Sequence, residues 1–296
     1  MIFLSIEGQA QFLRAKIGTD IPMQYLIGLN YQQGKIISGD LSVGYVGTPY
    51  NGDLYRVINV PTEHQARKEF LMETTDDGWV FGIGANANFG KWYAGLFGQH
   101  ITLNASATYE YLLTSDLYTN ELSQDEKDLI SFFVNSGAAE DINLLGTSFN
   151  LSDEMKVKTQ IFQAGLKIGR RFFFKNPRWE IRTELAFSKN IYSKTNSTYD
   201  EALFNDVIST YNALKENPAL LENPLVKDYL DNLGVNIPLD ADLEGALDFE
   251  EKEQEVDDFF HQYGYIPTLN IHLSYLLWVP KKVKAQQEKI DQDKAQ

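Results

Sequence analysis

Cysteine is absent from the sequence, which excludes a disulfide framework, a thiol nucleophile and any cysteine-ligated metal. Long hydrophobic runs are absent too. Nowhere do 18 apolar residues follow one another, so no helix of this chain can cross a bilayer. Positive charge is scarce, with 26 Lys and Arg against 41 Asp and Glu in 296 residues and a formal net charge of −15. That balance argues against a nucleic-acid partner. Phosphate-binding loops, zinc-ligand spacings and nucleotide fingerprints are all missing. A mean hydropathy of −0.31 leaves one membrane architecture open, because the strands of a transmembrane barrel are apolar on one face only.

What the chain has instead is alternation. From Trp79, every second residue is apolar: Trp79, Phe81, Ile83, Ala85, Ala87, Phe89. A second alternation follows Gly90-Lys91. Its apolar set, Tyr93, Phe97, Ile101, Leu103, Ala105, Ala107, Tyr109 and Tyr111, is expected to face outward. Its polar set, with His100, Thr102, Asn104, Ser106, Thr108 and Glu110, is expected to face inward. Period-two patterning of this length means strands with one apolar and one polar face. A polar face of Gly, Asn, Ser and Thr behind an aromatic-ended apolar face suits a barrel strand in lipid.

The same pattern recurs along the chain and predicts eight strands, at 12–18, 21–32, 35–47, 79–89, 91–113, 155–170, 178–194 and 263–279. Thr19-Asp20-Ile21-Pro22 is expected to turn the first strand into the second, and a bulge is expected near Ile161-Phe162. The long connections are then the third, fifth and seventh, spanning 48–78, 114–154 and 196–262. All are odd-numbered, so all lie at one end, with both termini at the other. Single-chain bacterial barrels show this arrangement, with an even strand count, short inner turns and long outer loops. The fold expected is an all-β, eight-stranded antiparallel transmembrane barrel over 12–279, with long, partly helical extracellular loops and a periplasmic tail at 280–296. Residues 1–11 (MIFLSIEGQAQ) read as the remnant of a secretory signal.

The three long segments carry −3, −8 and −14 charges, together −25, which leaves +10 for the remaining chain. Such acidic blocks are solvated or partner-facing surface. Within them, Ser123 and Glu126 form a capping box before Phe133, and Thr198 with Glu201 precedes a helical stripe of Phe204, Val207, Tyr211 and Leu214. These five apolar residues are the candidate partner-binding set. All four tryptophans fall at strand ends, Trp79 near the outer boundary and Trp92, Trp179 and Trp278 near the inner one. There the amphipathic ring is half buried in lipid and its N–H stays wet.

Three stretches, DIPMQY from Asp20, FGKWYAGL from Phe89 and GLKIGRRFFFKNPRWEIRTELAFSKNI from Gly165, resemble a family of Bacteroidota outer-membrane barrels of unassigned function. Gln9-Ala10-Gln11 is similar to signal junctions of that phylum. The likeness covers strands and inner turns, not the acidic loops. It implies location and fold, and no catalytic residue.

Three constellations could carry chemistry. Inward charges at Arg14, Lys16, Asp40, Glu110, Lys167, Arg171, Glu180, Arg182 and Glu184 must pair inside a barrel too narrow for a pore, and form a salt-bridged plug. His272-Leu273-Ser274 resembles the His-x-Ser pair of outer-membrane lipid A deacylases, but the alternation turns both residues inward, away from lipid. Asp240, Asp242 and Glu244, with the acids from Asp248 to Asp258, offer hard oxygen ligands to Ca²⁺, yet no DxDxDG-type loop occurs. A solvated helix face accounts for them, and no cofactor is expected.

The expectation is a non-enzymatic barrel of the bacterial outer membrane, serving as scaffold, surface-binding protein or accessory subunit of a larger assembly. Its partners would be membrane lipid and other surface proteins. The alternative is an outer-leaflet hydrolase using His272 and Ser274.

Overall fold

The structure, a computed structural model, describes residues 11–115, 124, 127, 154–199, 201–220, 222, 224, 227–228 and 248–278. Of the expected signal remnant at 1–11, residues 1–10 lie outside the described residues, as does the tail at 280–296, while Gln11 already belongs to the first strand.

Eight strands form: β1 (Gln11–Ile21), β2 (Gln24–Gln33), β3 (Ile37–Val46), β4 (Thr75–Phe89), β5 (Trp92–Thr108), β6 (Glu154–Phe173), β7 (Trp179–Thr198) and β8 (Tyr265–Trp278). Each pairs antiparallel with its neighbour in sequence, and β8 closes on β1 with Ser274 opposite Lys16. Closure pairs the sheet edges around the ring up to Lys189 of β7 opposite Tyr265 of β8. The β2–β3, β4–β5 and β6–β7 turns share one end of the barrel with both strand termini. The three long connections leave from the other end, as the parity of the sequence predicts.

Outward positions form an apolar band. Ile27, Leu41, Phe81, Ile83, Leu96, Leu166, Leu185 and Phe187 are all exposed. Trp79 bounds the band at the loop end, its ring edge-on to Tyr45. Trp92, Trp179 and Trp278 bound it at the turn end, at the first residue of β5, the first of β7 and the last of β8. From Trp79 to Phe89, at ~3.4 Å per residue and a tilt of ~40°, the band is about 25 Å tall, the height of an outer-membrane barrel's apolar girdle.

Two sequence expectations fail in β5. The first is its facing: Tyr93, Ile101, Leu103 and Ala107 are buried in the interior, while Trp92 and Leu96 are exposed on the outside. The two-residue β4–β5 turn fixes this, since it pairs Phe89 directly with Trp92 and so puts both on the outer wall. Gly90 makes the turn at a φ of 64°, where a side chain would be strained. The second is length. β5 stops at Thr108, whose side chain accepts from the Tyr111 N–H and caps helix α3 (Tyr109–Thr114). Glu110 therefore sits on a helix beyond the strand, not on the lumen wall.

A bulge lies at the expected level but in the neighbouring strand, and β6 itself alternates regularly through Ile161-Phe162. Phe162 pairs with Tyr192 and Gln163 with Asn190, so Ile191 is the extra residue and lies in β7. Ile191 and Tyr192 are consequently both exposed. Above this level the wall reverses polarity. Ile101, Leu103, Met155 and Ile161 point in and are buried, while Lys156 and Lys158 point out.

The segment at 47–74, expected as polar loop, is mostly helical: α1 (Tyr50–Arg56) and α2 (Gln65–Thr74). With α5 (Phe249–Tyr263) they close the loop end of the barrel, and α4 spans Glu201–Glu216. Tyr50, Leu54, Tyr55 and Leu71 join Val256, Phe259 and Phe260 in one core with Met23, Val46, Val80, Ile101 and Ile266 of the wall. The Thr75 hydroxyl donates to Leu71 O at 2.6 Å and accepts from Tyr55 O–H at 2.8 Å, and the Tyr50 hydroxyl meets Thr19 Oγ1 at 2.6 Å, so both phenol tips in this stopper are satisfied. α3 is tied to α2 by the Tyr111 hydroxyl donating to Glu73, and burial with the nearby carboxylate pushes that phenol up to about 12.

Candidate functional site

Below the apolar stopper, the interior is a layer of paired charges. Asp40 of β3 is its hub. Its carboxylate accepts from Lys167 Nζ at 2.8 Å, Asn30 Nδ2 at 2.9 Å and Asn86 Nδ2 at 2.6 Å. Lys16 Nζ stands 3.6 Å away and Arg182 Nη1 3.9 Å. Glu180 accepts from Arg182 Nε at 2.5 Å, and Arg14 Nε lies 3.6 Å from it. Glu184 meets Lys167 at 3.4 Å. The side chains come from six strands, and alternation alone brings them together, since every second residue of each points inward. Of the predicted set, Arg14, Lys16, Asp40, Lys167, Glu180, Arg182 and Glu184 form the network. Arg171 instead donates to Gln32 Oε1 at 3.0 Å and Gly90 O at 2.7 Å, nearer the turn end.

One member, Asp20, escaped the sequence reading. Asp20 was expected in a turn, but β1 runs on to Ile21 and the chain reverses at Pro22-Met23. Asp20 is therefore lumenal, accepting from Gln24 Nε2 at 2.8 Å. His272 stands between it and Glu184, with Nε2 2.9 Å from Asp20 and Nδ1 3.2 Å from Glu184. The ring is 2% exposed and Ser274 is 0% exposed, so the pair faces inward, as the alternation predicts, under a closed mouth. A cavity of about 30 Å³ lies among Lys16, Asp20, Asp40, Glu184 and His272. It has room for one or two waters, not for a substrate or an ion path.

The second candidate region is where the long connections meet the mouth. α5 replaces a missing strand there. β7 pairs with β8 only as far as Lys189 opposite Tyr265, with one further bond from Asn190 N–H to Gly264 O, leaving residues 191–198 with an open edge, which α5 covers. Ser193 Oγ donates to Asp257 O and Thr195 Oγ1 to Asp257 Oδ1, both at 2.8 Å. Glu253 accepts from both the N–H and the hydroxyl of Ser197. Acids four apart on the helix thus meet hydroxyls two apart on the strand. At the helix C-terminus, Asn190 Nδ2 donates to Phe260 O at 3.0 Å. A Cβ on Gly264 would stand 1.9 Å from that amide nitrogen, so only glycine fits. Arg67 of α2 joins Glu255 at 2.5 Å and ties the first long connection to the third.

Burial raises the Asp257 carboxyl above its ordinary value near 3.8, against the opposing bond from Thr195. A carboxyl whose pKa rises on docking takes up a proton as it docks. Its contribution favours docking most below the ordinary value and is lost as pH rises through the raised one. Protection of α5 from hydrogen exchange is expected to fall as pH rises from the ordinary carboxylate range upward, and Asp257→Asn is expected to flatten that fall. An unchanged pH slope in the variant would assign it to another group.

Of the predicted partner-binding residues, Tyr211 of α4 is buried, with Lys215 Nζ 5.9 Å from its ring centroid. Phe133 and the side chains of Phe204, Val207 and Leu214 lie outside the described residues, as do Asp240, Asp242 and Glu244. Among the described residues no group of three or more His, Asp or Glu is arranged to hold a metal.

No family model and no curated protein matches the chain. Among solved structures it is similar to CarO of Acinetobacter baumannii, at 11% identity over 90% of this chain and 97% of that one, with a TM-score of 0.31. CarO2 of the same organism aligns at 10% identity over 91% and 99%, TM-score 0.29. A major outer membrane protein of Thermus thermophilus aligns at 9% identity over 90% and 98%, TM-score 0.35.

Proposed function

We propose that the chain is a non-enzymatic barrel of the bacterial outer membrane. On this reading the barrel is a closed anchor that displays an acidic, helical surface outside the cell, as a scaffold, surface-binding protein or accessory subunit of a larger assembly. The proposal extends to the Bacteroidota barrels that the inner turns and strands resemble. One observation carries it: an exposed apolar band about 25 Å tall encloses an interior filled twice over, by paired charges and by aromatic side chains of the covering helices. The band suits lipid, and among the described residues the filling leaves neither a conduit nor a substrate site inside the barrel. The hydrolase alternative would need His272 and Ser274 to reach lipid, and both are turned into the sealed interior.

Surface protease applied to whole cells is expected to cut within 114–154 or 200–247 and to spare the Lys-rich tail. Residues 48–78 should cut later, because α1 and α2 are packed into the mouth. Cleavage confined to the tail would reverse the topology. In planar bilayers the purified protein is expected to give no steady single-channel steps. Nanosiemens steps would overturn the closed-anchor reading.

A further inference from the structure

The turn end of the barrel has a charge pattern opposite to the loop end. Residues 31–37, 88–93, 170–179 and 275–278 hold Lys35, Lys91, Arg170, Arg171, Lys175 and Arg178, and no Asp or Glu. All but Arg171 are exposed. Arg170 is the most informative. It projects from the outer wall, directly below Ile168 and Leu166 of the apolar band, and opposite Trp92 on β5. Its guanidinium lies 5.2 Å from the Trp92 ring centroid and 5.0 Å from that of Phe172. Arg178 donates to the Tyr275 hydroxyl at 3.3 Å, and the Tyr275 ring stands 4.7 Å from Trp179. Among the described residues, none of these five exposed cations meets a carboxylate.

A cation on the lipid-facing wall is costly at the bilayer midplane and nearly free of cost at the interface. Arg170 and its aromatic neighbours therefore sit at headgroup level. A guanidinium flanked by rings keeps its planar edge free, and that edge matches phosphate oxygens two at a time. The opposite end, with −25 in its three long connections, repels phosphate instead. Resting on the outer-membrane reading above, we infer that the aromatic and basic rim formed by Trp92, Arg170, Phe172, Lys175 and Arg178 binds the phosphate of anionic glycerophospholipids in the periplasmic leaflet. The rim then fixes the depth and direction of the barrel in the membrane.

The test uses the full chain, refolded in detergent and titrated with phosphatidylglycerol or phosphatidylcholine, with bound lipid counted by native mass spectrometry. The wild-type protein is expected to prefer phosphatidylglycerol by about five-fold or more, since each basic side chain near an anionic surface adds attraction. The triple variant Arg170→Gln, Lys175→Gln, Arg178→Gln is expected to bring that ratio near unity. Neutralising three acids at the other end (Asp53→Asn, Glu69→Gln, Glu73→Gln) is expected to leave it unchanged. A wild-type ratio near unity, or a preference that survives the rim variant, overturns the inference. Heat-modifiable migration is scored on every sample. A chain that never becomes heat-modifiable in either lipid defeats the membrane-barrel reading, whereas a heat-modifiable barrel blind to headgroup charge defeats only the rim.

Discussion

Asp40→Ala is expected to lower the stability of the barrel by about 3–5 kcal/mol, the loss typical of stripping one partner from a buried ion pair. Asp40 is the carboxylate shared by Lys16, Lys167 and Arg182, each of which is less than a tenth exposed. Removing it takes from Lys16 the carboxylate it faces, leaves Lys167 with Glu184 and Arg182 with Glu180, and takes one acceptor from each of the Asn30 and Asn86 amides. Asp40→Asn removes the same charge but keeps an acceptor oxygen, so its loss should be smaller. Adding Lys167→Met to Asp40→Asn should recover part of it, because the net charge of the buried layer is then restored. Urea titration of the heat-modifiable form in detergent reads all four proteins. A loss below about 1 kcal/mol for Asp40→Ala would mean that the interior is wet enough to screen its charges like a surface.

The same network marks how far the sequence could be read. Strand number, closure order and the facing of seven strands follow from alternation, because inward and outward residues differ in polarity within the band. β5 breaks that rule for a physical reason. Its upper half stands beside the helical stopper, so Ile101, Leu103 and Ala107 find an apolar interior there, and polarity no longer distinguishes inside from outside. The decisive signal lay in the two-residue turn at Gly90-Lys91, which forces Phe89 and Trp92 to one face. The inward charges could be enumerated, but their pairing could not. Asp40 and Lys167 are 127 residues apart and meet only once the ring closes. Asp20 was hidden by the turn-forming residues around it. α5 was read as an acidic face alone, although Phe249, Val256, Phe260 and Tyr263 recur at helical spacing along its other side.

That second face divides the longest connection into two parts with different work, and two deletions separate them. Tyr199, just past β7, and Phe249, at the start of α5, are in ring contact at 4.6 Å. Residues 201–247 therefore leave and return at nearly the same point, and a short Gly-containing linker can bridge the gap at little closure cost. Their removal is expected to leave a heat-modifiable barrel with α5 still seated, and to abolish whatever complex the intact protein forms at the cell surface. Extending the deletion through Tyr263 takes away Phe249, Val256, Phe259 and Phe260, all buried. At ~1.5–3 kcal/mol for each buried side chain, that forfeits roughly 6–12 kcal/mol as an upper estimate. It also uncovers the edge of β7 that Glu253 and Asp257 satisfy. The longer deletion is expected to fold poorly or to expose an edge prone to strand pairing between molecules. Native pull-downs and heat-modifiable migration on both proteins decide the matter. If the shorter deletion still captured every partner of the intact chain, the functional surface would lie on the barrel or its helical stopper rather than on 201–247. If the longer deletion were as stable as the shorter, α5 would be ornament on a barrel that closes without it.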